Sequence, residues 1–341
     1  MSTQNGALAR AIEVARALVG GPVVVDRLAA GGRNSRIWRV TSSDRAFALK
    51  QYPSRQDDLR DRLATEVGAL RLMERYRIDT VPRVLGIDGE RGYALLSWIE
   101  GGDVTDIGDA DIDAAVAFLA AVHALRSTPW AVEQPLAAEA CLSGTEIERQ
   151  IMARLKRLHE AAADERELID FIDNSVATRV AAEVAQARRT MAAASLAFDV
   201  ELPQEWRSLV PSDFGFHNSL RRRDGSLAFV DFEYFGWDDP VKLTADIVLH
   251  PGRPLLPPQR RRFRQAAQRL YGADSAFGTR LSAYLPLFGL RWVLILLNEF
   301  IPERWQRRVG AGETGSWRTV KARQLAHAQA FLAALPGKVE D

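Results

Sequence analysis

Three oxygen-bearing side chains share one short stretch of the chain: Asp213, Asn218 five residues later, and Asp231 beyond an intervening strand pattern. Asp224-Gly225, between two alternating runs, predicts a two-residue hairpin turn. That turn would pair Arg223 with Ser226 and set Asn218 directly opposite Asp231. Residues opposed in this way have Cβ atoms about 4.5–5.5 Å apart, close enough for two oxygens to share a hard cation such as Mg²⁺. An anionic Asp213 just ahead of them could orient an acceptor hydroxyl and take its proton. The chemistry open to this set is phosphoryl transfer. The simpler alternative is a hairpin rimmed by ordinary turn residues, since Asp and Asn are common there.

Phosphoryl transfer also needs a cation on the phosphates and backbone donors over them. The first hundred residues hold candidates for both. Gly31, Gly32, Asn34 and Ser35 lie between two strand patterns, in a run of small residues that would let backbone approach a phosphate. Lys50 ends the alternating run Phe47-Ala48-Leu49-Lys50 and is one of only five lysines among 45 basic residues. Glu66 sits at the edge of the apolar stripe of the next helix, where an unpaired carboxylate would be costly. Lys50 is its natural partner. Taken singly, the glycines read as a turn, Lys50 as a solvated strand end and Glu66 as a surface acid; their order along the chain with Asp213, Asn218 and Asp231 favours the joint reading.

The elements that must hold these groups follow from periodicity. Strands are predicted at Pro22–Leu28, Arg36–Thr41 and Ala46–Tyr52, then a helix from an N-cap at Ser54 to about Tyr76, then strands at Arg83–Asp88 and Tyr93–Ile99. Gly101-Gly102 breaks the pattern. Beyond it come helices over 110–125 and 145–161, a third helix or a broken pair over 165–193, the hairpin island 208–235, and helices from Pro240 and over 260–270, 276–300 and 317–335. The predicted fold class is α+β: a small antiparallel-sheet lobe over residues 1–100 and a larger, mainly helical lobe over residues 101–341. A chain of 341 residues suits two such units.

Composition narrows the alternatives. The formal net charge of +1 gives no field for nucleic acid or an anionic membrane. The basic runs Arg221–Arg223 and Arg260–Arg262 read as solvated faces, and His123 and His250 as core-type histidines. The most apolar window, 283–300, contains Arg291 and Asn298 and reads as a buried helix rather than a membrane span. One cysteine, Cys141, allows no internal disulfide, and residues 1–10 show no apolar signal core; the expected location is cytoplasmic.

With these motifs in view, the chain resembles the aminoglycoside phosphotransferase and choline kinase superfamily, within the protein-kinase-like bilobal fold. The resemblance runs over nearly the whole chain. It aligns Gly31–Ser35 with the nucleotide loop, Lys50 with the phosphate lysine and Glu66 with its helix partner. Ser97–Gly102, including Ile99, falls at the hinge that holds the nucleotide base. Leu119–Leu125 resembles the helix after the hinge, and Val230-Asp231-Phe232-Glu233 the metal motif. At the catalytic loop the family usually has His-Gly-Asp-Leu-His-Pro-Gly-Asn; here Pro211 and Gly215 stand at the two histidine positions, while the Asp213-to-Asn218 spacing is kept.

The resemblance implies a kinase using ATP or GTP with Mg²⁺. Asp213 would be catalytic, Asn218 and Asp231 metal ligands, and Gly31, Gly32, Asn34, Ser35, Lys50, Glu66, Ser97 and Ile99 would bind nucleotide. Only about eight residues separate Asp231 from the helix at Pro240, which leaves no room for a long activation segment and favours a small acceptor: a sugar, aminoglycoside or amino alcohol. Glu233 and Asp238 are expected near that acceptor, and Trp206, Trp237 and Trp292 are either stacking platforms or core. The expected oligomeric state is a monomer or homodimer. The altered loop leaves a nucleotide-binding pseudokinase or scaffold as the alternative.

Overall fold

In the computed structural model, residues 2–27, 35–53, 60–162, 164–311 and 315–335 are described. The chain divides into two compact units that are not contiguous in sequence. The first comprises residues 1–106, 121–138 and 211–236; the second comprises 107–120, 139–210 and 237–341. The hairpin island therefore groups with the N-terminal sheet rather than with the helices that flank it in sequence.

The first unit opens with a helix, α1 (Ser2–Val19). A five-stranded sheet follows: β1 (Val24–Arg27), β2 (Arg36–Ser42), β3 (Arg45–Gln51), and, after the helix α2 (Arg62–Arg75), β4 (Val84–Asp88) and β5 (Tyr93–Ser97). The spatial order is β1-β2-β3-β5-β4, every pairing antiparallel. Alternation along β3 sends Leu49 to one face and Lys50 to the other. Leu49 joins Trp38, Val40, Phe47, Tyr93 and Leu95 in a core closed by Ala11, Val14 and Ala15 of α1. Lys50, paired across the ladder with Ile37 and Ala94, faces α2.

The start of α2 differs from the sequence expectation. Its N-cap is Asp61, whose carboxylate accepts the Ala64 N–H at 3.0 Å. A side-chain oxygen on an orphan N–H stops a helix where an apolar stripe alone would extend it. Residues 54–59, including Ser54, lie outside the described residues. Strand β5 also ends two residues short of Ile99.

The hairpin carries the largest correction. Ser219–Arg221 pairs with Leu227–Phe229 in the register Ser219↔Phe229, Leu220↔Ala228, Arg221↔Leu227. The Arg222 N–H donates to the Ser226 carbonyl and the Gly225 N–H to the Arg222 carbonyl. The turn therefore has three residues, with Gly225 at φ +85° supplying the left-handed position such a loop needs. The register slips by one, so Asn218 meets Val230, whose N–H donates to the Asn218 carbonyl at 3.0 Å, and not Asp231. A one-residue slip exchanges the faces of a strand. Asp231 itself leaves the strand with φ +71°, a backbone state that non-glycine residues seldom adopt.

The hairpin is tied to its own unit. Phe229 N–H donates to the Thr80 carbonyl at 2.8 Å, Arg222 reaches the Asp79 carbonyl and Arg221 that of Asp106. Gly102–Asp103 adds a third short strand on Leu220–Arg221. A Cβ on Gly101 would lie 2.9 Å from the Arg221 carbonyl oxygen, so the chain passes here only as glycine.

The second unit is helical. Its long apolar helix Phe277–Leu296 is flanked by Pro240–Leu249, Thr178–Ala193, Trp317–Ala334 and Gly144–Ala161. The segment Phe277–Phe300 is long and apolar enough to cross a membrane, but two-thirds of it is buried inside this unit, as a core helix would be. The predicted helix or broken pair over 165–193 runs as Arg166–Phe171, a π-helical turn Ile172–Ala177 and Thr178–Ala193. The basic runs are absorbed structurally: Arg260 holds the Leu255 carbonyl, and Arg262 pairs with Asp109 and Asp113. Trp237 is buried as core.

Candidate active site

Lys50 is the centre of the site. Its ammonium lies 2.6 Å from Glu66 Oε2, 2.6 Å from Asp231 Oδ1 and 3.3 Å from Glu233 Oε2. Lys50, Glu66 and Glu233 are almost fully buried, whereas the Asp231 side chain is 27% exposed. The cluster thus has an inner wall and one open edge. Burial opposes the charge on Lys50, but Asp231 and Glu66 outweigh it and hold the ammonium well above its usual pKa. Burial pushes Asp231 upward, and Glu233 and Glu66 add to the effect against Lys50.

Glu66 is fixed from three sides. It accepts from Lys50, from the Tyr52 hydroxyl at 2.8 Å and from the Phe232 N–H at 3.2 Å. Burial and the neighbouring Glu66 keep the Tyr52 phenol protonated, hence a donor. Glu233 accepts from the Ser35 hydroxyl at 2.7 Å and from the Arg62 guanidinium.

The Asp213 loop is built by local hydrogen bonds. Ser212, just before Asp213, and Asp231 itself stand at left-handed backbone positions, φ +68° and +71°, a strain of order 1–3 kcal/mol each that persists only where surroundings impose it. A turn at Phe216–Asn218 brings the Asn218 N–H to the Gly215 carbonyl. The Asn218 Nδ2 donates to the Asp213 carbonyl at 2.8 Å, which directs the amide oxygen away from that bond. His217 Nε2 lies 3.2 Å from Asp213 Oδ1. The Asp213 side chain is 41% exposed, open to a diffusing partner. Phe214 packs on Phe229 at 5.1 Å between ring centroids and seats the loop on its hairpin.

A sequence model of the phosphotransferase enzyme family matches residues 25–283. The chain belongs to that family. It is accordingly a phosphotransferase with an alcohol group as acceptor. No curated protein matches the chain in sequence. Solved structures similar in fold include the gentamicin–APH(2″)-IIa complex, with a TM-score of 0.60 and 13% identity over 96% of both chains. Choline kinase LicA from Streptococcus pneumoniae follows at 0.58 and 16%, over 94% of this chain and 97% of that one. A choline/ethanolamine kinase family protein from Mesorhizobium loti gives 0.53 and 18%, over 92% and 89%. At these identities the likeness establishes the fold, an α+β kinase-like architecture with an antiparallel-sheet lobe and a helical lobe.

Within this family fold, Lys50, Glu66 and Asp231 meet at one point, and Asp213 and Asn218 share one loop. Ser35 is present but turned to Glu233. Gly31, Gly32 and Asn34 lie outside the described residues. Ser97 exchanges two hydrogen bonds with Arg83, through its N–H and its hydroxyl, and Ile99 follows in a half-buried loop. Two acceptor candidates are corrected. Glu233 is 3% exposed and engaged by Ser35, Arg62 and Lys50, so it belongs to the inner wall. Asp238 is fully buried in the second unit, where it accepts the N–H groups of Cys141 and Asp239 and pairs with Lys242 at 3.1 Å. Neither carboxylate faces solvent.

Arg62 and Tyr52 were missed by sequence reasoning. Arg62 lies four residues before Glu66, on the same helix face, and Tyr52 lies two beyond Lys50, on the same strand face. Both spacings were there to find.

Proposed function

We propose that the protein is a small-molecule kinase that transfers the γ-phosphate of ATP or GTP to a hydroxyl of a sugar, aminoglycoside or amino alcohol. The observation that carries this reading is the Lys50 ammonium held at 2.6 Å by both Glu66 and Asp231, in the same unit as the partly exposed Asp213. In this reading Lys50, tethered by Glu66, contacts the nucleotide phosphates. Asp213 accepts the acceptor's hydroxyl proton as the hydroxyl oxygen bonds to the γ-phosphorus and the bond to the β–γ bridging oxygen breaks. The nucleoside diphosphate leaves with that electron pair.

The donor set fits Mg²⁺. Asp231 offers a partly exposed carboxylate and Asn218, whose Nδ2 is held by the Asp213 carbonyl, an amide oxygen, both hard oxygen ligands. Asp231, at the exposed edge, and the Asn218 amide oxygen would hold the ion, which would neutralise charge on the transferring phosphoryl group. The one cysteine, buried Cys141, accords with a cytoplasmic location.

The test is nucleoside diphosphate release with Mg·ATP and Mg·GTP across sugars, amino sugars, aminoglycosides, choline and homoserine, with Asp213→Ala as control. Acceptor-dependent turnover lost in the variant supports the kinase and names the substrate class. Nucleotide binding without turnover on any acceptor favours the pseudokinase, and absence of nucleotide binding ends the proposal.

A further inference from the structure

Arg62 occupies a place where a cation is unfavourable on two counts. It is the first residue of α2, at the positive end of the helix dipole, and it is 2% exposed. Its guanidinium binds Glu233 and lies 4.8 Å from the centroid of the Tyr234 ring. A buried Arg at a helix start needs a compensating anion, and Glu233 supplies it.

The consequence falls on Lys50. This ammonium faces three carboxylates, and to reach a phosphate it must be given up by all but its tether. Glu66 is the tether, fixed by Tyr52 and the Phe232 N–H. Asp231 lies at the exposed edge, where an incoming cation can replace the ammonium. Glu233 is buried, so nothing from solvent can replace Lys50 there. Arg62 and Ser35 already satisfy it, and its separation from Lys50 is 3.3 Å against 2.6 Å for the other two. Resting on the kinase reading above, we infer that Arg62 is a positioning residue that neutralises Glu233 and so keeps Lys50 available to the nucleotide. Without Arg62, Glu233 becomes a second permanent tether, and nucleotide binding has to break it.

The experiment is calorimetric titration of wild type, Arg62→Met, Arg62→Lys, Glu233→Gln and the double variant Arg62→Met/Glu233→Gln with a non-hydrolysable Mg·ATP analogue. Thermal melts provide the folding control. Arg62→Met is expected to weaken nucleotide binding about tenfold or more, the scale of one hydrogen bond to a charged group. Arg62→Lys should retain most of the affinity. The double variant should return to within about threefold of wild type, because the competing carboxylate is gone. A purely structural arginine would not be rescued in this way. If Arg62→Met does not fold, Arg62→Gln replaces it, keeping a donor for Glu233 without the charge, and must weaken binding likewise. Unchanged affinity in the neutral variants, or no recovery in the double variant, overturns the inference while leaving the kinase reading standing. A wild type that binds neither Mg·ATP nor Mg·GTP removes both.

Discussion

In the helical unit, Lys242, Arg291 and Arg154 meet Asp238, Asp246 and Glu139, three cations against three carboxylates. Around Lys50 the same residue types are arranged otherwise: among the described residues, Lys50 and Arg62 face Glu66, Asp231 and Glu233, two cations against three carboxylates. A second helical-unit group also has more acid than base, Arg280 between Asp239 and Asp274, but there the surplus is taken up by backbone. Asp239 accepts the Val241 N–H at the start of the helix Pro240–Leu249, and Asp274 that of Ala276. Matched charge locks a fold; a surplus carboxylate at an exposed edge leaves a place for a further cation. That difference separates a structural ion network from one prepared for chemistry.

The largest expected effect lies in the first unit. Asp213→Ala should lower kcat by about 10²–10⁴, the range for losing a general base, with the melting temperature unchanged. Equal loss of stability would erase the contrast between the two regions. Next comes Arg280→Met in the second helical-unit group, whose surplus acid is taken up by backbone. It leaves Asp239 and Asp274 buried without their cation and should cost about 3–5 kcal/mol by denaturant unfolding, while the affinity of the folded protein for nucleotide stays the same. Asp231→Asn then sharpens the comparison. Removing the surplus carboxylate should leave stability equal or slightly higher, as happens where a site is kept at the expense of the fold, and should abolish the Mg²⁺ dependence of nucleotide binding.

The smallest effect lies outside both networks. Burial, and then nearby Arg126, hold the His123 imidazole down to about 4. The folded state therefore refuses a proton that the unfolded chain accepts near 6.5. Its contribution to stability is present above that value and is lost as pH falls from about 6.5 toward 4. Melting profiles of His123→Gln should show a shallower acid slope than wild type; an identical slope would assign the acid sensitivity to other groups.

Much of the fold was legible because amphipathic periods were long and clean. Leu49 and Lys50 had to point to opposite faces, and the edge position of Glu66 required a basic partner. The misses have physical reasons. Helix α1 has no counterpart in the sequence reading although Ala11, Val14, Ala15 and Leu18 step by three, one and three, because half of that stripe is alanine and gives a weak apolar signal. The hairpin register failed at Gly225: Asp-Gly serves a three-residue loop as readily as a two-residue one, and the choice rests on a single φ. That slip moved Asn218 from Asp231 to Val230, and no pattern of residue types announces the φ of +71° at Asp231. Glu233 and Asp238 read as acceptor groups because they lie near the catalytic motif; here Glu233 is consumed by Arg62, 171 residues away, and Asp238 by Lys242, four residues on in the next helix.

The most direct test of the surplus-carboxylate account is ATP affinity measured with and without Mg²⁺ for wild type and Asp231→Asn. Wild type should bind at least about tenfold tighter with Mg²⁺, and Asp231→Asn should show none of that gain. Binding of wild type that ignores Mg²⁺, or an undiminished Mg²⁺ gain in Asp231→Asn, would contradict the account.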